Sequence, residues 1–453
     1  MTTAKKTAEE HFAEEMRDAA EEFGKILRPY FRGMPDENLE TLLLISMAVF
    51  LGADNVYQVL QVLGLPKTAT YDRVRNISVY HWRKFLQSHL YSLAIPLLAE
   101  RLSKSDATRS RDGLILAVDD TVIARIATEL GYVWRWWSGQ LKRVAKGQNV
   151  IALILVVGDI ILPLDIRIVS KQGRGLRTKP EIYEEMLAAA RARFATAGID
   201  IAELRTTGDA AYFSEKIAAF CRGKFPAEAP SDPDTATSQS DPDPAGGAPE
   251  TPGHESGDTD PALLPTITGI FRGRDNYVFE IDGKRQKAGQ WRKDLKDSLA
   301  PGWGTDGQPV CRTGAFSEKF GDIILLFYIP KGRRAISHLI TVGRPLRAGE
   351  TLHAYSFHHR IEDFWKLLKD TLELGAMHLR GREGAHACVG IKIIAYLVVS
   401  MMRQNLKRLG RFRNVTISGL VGLCPKFVDV RQIFKELFPG IVPGSHTLDD
   451  ALA

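Results

Sequence analysis

Leu114-Ile-Leu-Ala-Val-Asp-Asp-Thr121 is a run of five apolar residues that stops on two acids. An unbroken apolar run of this length reads as a buried strand, so it is predicted to carry Asp119 and Asp120 at its end. Working outward toward the C-terminus, Asn149–Val157 and Ile160–Val169 are two further apolar runs, with Gly158-Asp159 between them as a hairpin turn. Pro180–Ala197 reads as a helix with proline near its start. Leu204–Thr207 is then a short strand that delivers Gly208-Asp209, and a helix from about Ser214 to Cys221 follows. The predicted order is three meandering strands, a helix, and a strand with an acid at its tip. Strand ends are where an open α/β sheet presents its site, so Asp119 and Asp209 are candidates for one site.

Toward the N-terminus, residues 7–105 read as helical. Apolar residues recur at helical spacing through His11–Leu27, Leu39–Leu51 and Trp82–Leu102. Within them, Asn55–Gly64, Leu65-Pro66 and Lys67–Asn76 read as a short helix, a turn, and a second short helix capped by a Thr. This is a helix-turn-helix pattern, which any αα-hairpin also shows. Its second helix would offer Thr68, Thr70, Tyr71, Arg73 and Arg75 to DNA, with Arg73 and Arg75 as phosphate contacts.

Residues 226–262 are rich in Pro, Asp, Ser, Gly and Thr and nearly devoid of large apolar side chains. Such a segment cannot offset its own ordering entropy, so it is predicted to be a disordered acidic linker. Strand-like patterns return at Thr266–Phe271, Tyr277–Ile281, Asp322–Ile329 and His338–Val342. Ala354–Leu374 reads as a strong helix, and Ala385–Leu409 as a mostly buried one with a basic end at Arg403, Lys407 and Arg408. The expected organisation is a helical N-terminal DNA-binding domain (1–105) and the first part of an α/β core (106–225). The acidic linker (226–264), a β-rich insertion (265–350), and the rest of the core with C-terminal helices (351–453) follow.

The chain has 453 residues, 44% hydrophobic and 25% charged, an ordinary composition for a globular protein with a sizeable core. The formal charge is +6, but nine acids and no Lys or Arg fall between Lys224 and Arg272, so the remainder carries +15. A body that basic suggests a polyanionic partner, nucleic acid first. Cys221, Cys311, Cys388 and Cys424 are scattered without metal-ligand spacing, which argues against zinc and suits a reducing cytoplasm. No apolar run predicts a membrane span, and Met1–Met16 lacks the apolar region of a secretory signal.

Phosphodiester transfer by two metal ions needs carboxylates from different elements that bridge ions about 3.5–4 Å apart. Asp and Glu are suitable hard ligands for Mg²⁺. A helix must supply the third acid. In Tyr355-Ser-Phe-His-His-Arg-Ile-Glu-Asp-Phe-Trp-Lys-Leu-Leu-Lys369, Glu362 and Lys369 are seven apart, two helical turns on one face. Asp120 competes with Asp119, but adjacent strand residues point to opposite faces, so only one can aim at the site.

With these residues in place, the stretch from about Leu114 to Lys407 resembles bacterial insertion-sequence transposases of the DDE class. The resemblance rests on Val118-Asp119-Asp120-Thr121, on Gly208-Asp209-Ala210-Ala211-Tyr212, and on the tyrosine–arginine–glutamate–lysine signature spaced Y-x2-R-x3-E-x6-K. Here that spacing gives Tyr355, His358, Glu362 and Lys369, with His358 in place of the arginine and Arg360 two residues on. The resemblance implies a ribonuclease H-like catalytic core with a β-rich insertion, preceded by an all-α N-terminal domain. It implies two Mg²⁺ ions, with Mn²⁺ as a substitute, held by Asp119, Asp209 and Glu362. It also implies phosphate contacts from Tyr355, His358 or Arg360, and Lys369. The implied reaction is hydrolysis at the terminal inverted repeats of a mobile element and attack of the freed 3′-hydroxyl on target DNA. A dimer in the synaptic complex and a cytoplasmic, nucleoid-associated location are implied too. Members of this group can hold a flipped base on an aromatic; Trp291 and Trp303 lie in the matching stretch.

Other readings stand beside these. Asp159 reads as a solvated turn residue and Asp165 as one on an exposed strand face. Glu362 alone would pair with Lys366. The run Trp134-Arg-Trp-Trp137 with Lys142, Arg143 and Lys146 reads equally as a packed loop or a DNA-contacting one. Rival functions are a catalytically inactive, transposase-derived DNA-binding protein, another ribonuclease H-like nuclease, and a glycosidase with paired carboxylates.

Overall fold

A computed structural model describes residues 7–104, 114–125, 129–139, 141–172, 176–199, 204–224, 267–295, 309–333, 335–408, 414–439 and 441–442. The acidic stretch 226–262 and Trp303 lie outside the described residues, as do 409–413 of the basic helix end.

The N-terminal part is helical: α1 (Ala8–Leu27), α2 (Asp36–Met47), α3 (Val56–Leu63) and α4 (Lys67–Ser78). A turn at Trp82–Lys84 and a π turn, Phe85–His89, lead into α5 (Leu90–Lys104). Thr7 and Glu10 form a reciprocal capping box that satisfies orphan N–H groups at the start of α1. These helices do not bury their apolar faces only on each other. Phe12, Leu42, Val74 and Trp82 share one hydrophobic core with Val389 and Val399 near the C-terminus and with Ala117 and Val150 of the sheet.

Eleven strands form one mixed sheet among the described residues, ordered β2-β3-β1-β5-β6-β11-β10-β9-β7-β8, with β4 on β3. The meander is β1 (Leu114–Ala124), β3 (Arg143–Val157) and β4 (Ile160–Ile168), antiparallel throughout. The sequence reading overlooked β2 (Trp134–Ser138), which pairs with the start of β3. Helix α6 (Lys179–Thr196), capped by Thr178 and Glu181, returns the chain to β5 (Leu204–Gly208), parallel to β1. Helix α7 (Glu215–Cys221) follows, and β6 (Thr268–Arg272) pairs parallel with β5. Then come β7 (Val278–Ile281), β8 (Lys284–Lys287), α8 (Ala288–Asp294), β9 (Val310–Ser317), β10 (Gly321–Tyr328) and β11 (Ser337–Val342). Because β11 pairs with β6, the β-rich stretch continues the same sheet. Alternation along β1 sends Leu116 and Val118 to a core under α6 and α7, and Ala117 and Ile123 to the opposite, helix-covered face.

Four local expectations need correction. β1 does not end at the acids: Thr121-Val122-Ile123 is β-branched and stays paired to β3 as far as Ala124. The helix α4 starts at Lys67 with Pro66 as its cap, without a side-chain cap bond. Ala354–Leu374 is two helices, α9 (Ala348–Ser356) and α10 (His359–Lys366), the second running into a π turn at Leu367–Thr371. At the break, Ser356 Oγ donates to the His353 carbonyl (2.6 Å) and His359 Nδ1 donates to the Ser356 carbonyl, so side chains compete with the helical ladder. Asp165 is not on an exposed face. It is fully buried, bonded by Arg167 at 2.9 Å, and Arg167 also reaches Glu185 of α6. That partnership is what permits a charge there.

The last elements are α11 (Gly381–Arg408), α12 (Ile417–Phe427) and α13 (Val430–Leu437). Among the described residues, α11 alone is long and apolar enough to cross a membrane, and it is mostly buried in the fold.

Candidate active site

The parallel register of β1 and β5 ends at Val118 opposite Gly208, and that of β5 and β6 at Gly208 opposite Phe271. The next residue on each strand is therefore Asp119, Asp209 and Arg272, in a row across three neighbouring strands. Where β5 and β6 stop, β1 alone runs on, and the carboxyls sit at the step this leaves. Gly208 lies close to Val118 and Phe271, where an added Cβ would come within 3.0 Å of the Val118 side chain. The tight approach keeps the two acids adjacent.

Asp119 and Asp120 face opposite ways. Asp120 is locked on the α6 side: Lys179 Nζ and the Tyr212 hydroxyl donate to Oδ1 at 2.6 and 2.9 Å, and Asn149 Nδ2 donates to Oδ2 at 2.8 Å. Asp119 points to the other face, toward Asp209 and His358. Burial, reinforced by the negative charges of Asp120 and Asp209, pushes its carboxyl up to about 7. Asp209 is in the reverse situation. The His358 imidazole, with Nε2 at 3.6 Å from Oδ1, and the nearby Arg272 hold its carboxyl below the usual range. The two carboxyls are thus driven apart in proton affinity by their surroundings.

His358 is buried at the break between α9 and α10 and stacks on Tyr355, ring centroids 5.3 Å apart and planes at 17°. Its Nδ1 is buried without a hydrogen-bond partner. In this structure the His358 ring faces Asp209. Tyr355 is also half-buried, and its hydroxyl is pushed above its ordinary range by burial and by the Asp209 charge. Lys369, in the π turn, is near enough to feel Asp119 and Asp120, while burial lowers its ammonium.

Glu362 is exposed on α10, whose Ile361, Phe364 and Trp365 are buried in the helix-covered core. It makes no ion pair with Lys366 among the described residues. Its charge is felt at Tyr355. Arg360 lines a groove of about 2270 Å³ with Tyr30, Pro96 and Tyr396, and Asp119 is not among the residues lining it. Arg125, one residue beyond β1, fixes this side of the molecule. Buried, it donates to the carbonyls of Gly375, Met377 (2.9 Å) and Leu374 (3.4 Å), tying β1 to the chain that follows the π turn.

The fit to a divalent cation is partial. Asp119 and Asp209 supply hard oxygens on neighbouring strands, and the Asp119 carboxyl, raised by burial first and by the Asp120 and Asp209 charges second, would be stabilised in its ionised form by a cation. No group of three His, Cys, Asp or Glu side chains able to hold a metal is formed among the described residues. Glu362 is thus on the right side of the sheet but outside the cluster.

The remaining predicted residues lie elsewhere. In α4, Arg75 and Thr68 are exposed, Arg73 is bound to Glu37 of α2 at 2.8 Å, and Thr70 is buried, so Thr70 is not offered to a partner. Trp291 is buried and donates to the Phe279 carbonyl (3.2 Å), so it holds the β7–α8 corner together. Asp159 pairs with Lys407. Sequence reading missed Arg272 and the Asp120–Lys179–Tyr212 cluster. A basic residue directly after a strand, as in Phe271-Arg272, was the one available signal.

No family model matches the chain, and no curated protein does. Among solved structures it overlaps the NurA nuclease from Sulfolobus solfataricus at 12% identity and TM-score 0.21, over 75% of this chain and 98% of that one. A likeness that low carries no argument about fold or function.

Proposed function

We propose that the protein is a DDE-type DNA transposase: a ribonuclease H-like enzyme that cleaves DNA at the ends of a mobile element and joins the 3′-hydroxyl ends to target DNA. The observation that carries the reading is the side-by-side placement of Asp119 and Asp209, on neighbouring parallel strands, on the sheet face that α10 covers. The order of a three-strand antiparallel meander, a helix, and a parallel strand tipped by Asp209 supports the ribonuclease H-like core. The helical stretch 7–104 supports an all-α N-terminal region that binds DNA, with Lys67 and Arg75 exposed cations of α4.

In this reading Asp119 and Asp209 would hold Mg²⁺ or Mn²⁺, with Glu362 completing the set from α10. Bound there, two such ions supply charge stabilisation for both the attacking and the leaving oxygen of an in-line displacement. The chain's own groups do the rest. His358 keeps Asp209 ionised and oriented. Arg272 and Lys369 flank the pair and attract the phosphate. Asp120 takes no part in the chemistry and anchors β1 to α6.

The test is a full-length protein assay on duplexes carrying the DNA that flanks its gene, where terminal inverted repeats are expected. Mg²⁺-dependent cuts leaving 3′-hydroxyl ends, followed by joining to a second duplex, are expected. Loss of both steps in Asp119→Asn, Asp209→Asn and Glu362→Gln, with DNA binding kept, is expected too. Binding without any cleavage by the wild type would favour the inactive DNA-binding relic. Near-normal cleavage by Glu362→Gln would remove Glu362 from the site.

A further inference from the structure

The ribbon formed by β2 and the first residues of β3 has no part in the site described so far. Residues 143–147 of β3 lie past the pairing with β1 or at its end, and they pair with β2 alone or chiefly with it. One face of this ribbon carries Arg135 opposite Lys146 and Trp137 opposite Val144. Both pairs point outward: Trp137 is 65% exposed and Val144 58%. An indole that open on an edge strand is an unusual cost unless something covers it.

Charge says what covers it. Between Glu129 and Asp159 the sequence has four cations, Arg135, Lys142, Arg143 and Lys146, and no carboxylate. Among the described residues none of these four is in an ion pair. Two like charges directly across a ladder repel each other, so Arg135 and Lys146 side by side are a feature that an anionic partner would relieve. The ribbon is held firm from behind, where Lys171 sits 4.2 Å over the Trp136 ring and donates to the Arg135 carbonyl at 2.6 Å. Cations in register beside an exposed aromatic are the chemistry that holds a nucleic-acid strand, phosphates on the cations and a base on the ring.

Its position fits as well. Asp119 pairs with Ala152 on β3 and Trp137 with Val144, so the two are separated by eight residues of one strand. At roughly 3.3 Å per residue that is about 26 Å, or about eight nucleotides of a DNA strand at ~3.4 Å each. Counting back from Ala152, the even residues Val144 and Lys146 fall on the face of β3 that carries Asp119 on β1.

We propose that the β2–β3 ribbon is a second nucleic-acid contact, in which Arg135 and Lys146 bind phosphates of a strand with an unpaired base stacked on Trp137. It rests on the DNA-processing reading for the polymer, and it adds a site about eight nucleotides from the chemistry.

The experiment is fluorescence anisotropy of the full-length protein, in EDTA, with a labelled single-stranded oligonucleotide and its duplex. Trp137→Ala weakens single-strand binding by roughly 10-fold, the loss of one base stack, while Trp137→Phe retains it. Arg135→Ala with Lys146→Ala lowers the slope of log K against log salt by about 1.4, two phosphates at ~0.7 each. Circular dichroism checks that each variant is folded. Unchanged affinity and slope in folded variants would overturn the proposal. If those variants also cut element ends in Mg²⁺ as the wild type does, the transposase reading stands without it. A wild type that binds neither oligonucleotide would overturn both. A change in molecular mass by light scattering, with affinity unchanged, would assign the patch to contact between copies and overturn the proposal.

Discussion

Asp119 and Asp120 differ by one step along β1, and that step decides which carboxyl faces Asp209. Period-two alternation shows in the sequence that only one of the two can aim there; the resemblance, not the alternation, singles out Asp119, and neither tells what each acid touches. Asp120 spends its lone pairs on Lys179, Tyr212 and Asn149. Asp120→Asn is therefore expected to cost about 1.5–3 kcal/mol, the range for a hydrogen bond to a charged group, as measured by urea unfolding. Asp119 behaves oppositely. Its folded carboxyl is raised to about 7 from an ordinary 3.8, so between those values the native state binds the proton more tightly than the unfolded chain. In EDTA its contribution to stability is present at acid pH and is lost as pH rises from about 4 through 7. Asp119→Asn should then melt above the wild type at pH 8 and alongside it near pH 4. A wild type that remains the more stable of the two at pH 8 would show that the charge is already compensated.

At the scale of elements, periodicity located most helices and strands, and it failed where side chains bond back to the backbone. The Tyr355–Lys369 signature has the spacing of one helix, yet Ser356 and His359 interrupt it, so Tyr355 and Glu362 come from α9 and α10. His358, read as a substitute for a phosphate-binding arginine, occupies the break with its Nε2 3.6 Å from Asp209, a pairing that its place in the signature does not reveal. Arg125 was also silent in the sequence. It carries three carbonyls from the segment after the π turn, so Arg125→Met should destabilise the protein by about 2 kcal/mol or more, the cost of leaving buried acceptors unpaired. Calorimetry against the wild type measures it, and a loss within a few tenths would mean the segment is held by its apolar contacts alone. In α4, Arg73 is engaged by Glu37 while Arg75, like Lys67, is exposed. Arg75→Ala should reduce the salt slope of duplex binding by about one, and Arg73→Ala by less. Equal effects would mean that the Glu37 pair opens on binding.

For the molecule as a whole, the mixed α/β character and the succession β1, β3, β4, helix, β5 could be read from apolar runs and turns, but not β2. Long-range pairing could not. The strand Thr268–Arg272 lies beyond the acidic stretch in sequence, yet it joins β5 and sets Arg272 next to Asp209. A period-two pattern gives a strand its faces but not its neighbours. The same limit applies to the N-terminal helices, whose apolar stripes predicted burial but not burial against α11 and the sheet. The formal +15 outside residues 225–271 suggests a polyanion, and under the proposed function the grouping of Asp119, Asp209, Arg272 and Lys369 would be where that partner reacts. The most direct test is Mg²⁺-dependent cleavage of duplexes bearing the gene's flanking DNA, with Asp119→Asn and Asp120→Asn assayed side by side at matched folded concentration. No cleavage by Asp119→Asn and substantial cleavage by Asp120→Asn are expected, with both still binding the DNA. Cleavage by Asp119→Asn at the wild-type rate, or its loss in Asp120→Asn alone, would contradict the proposed role of Asp119.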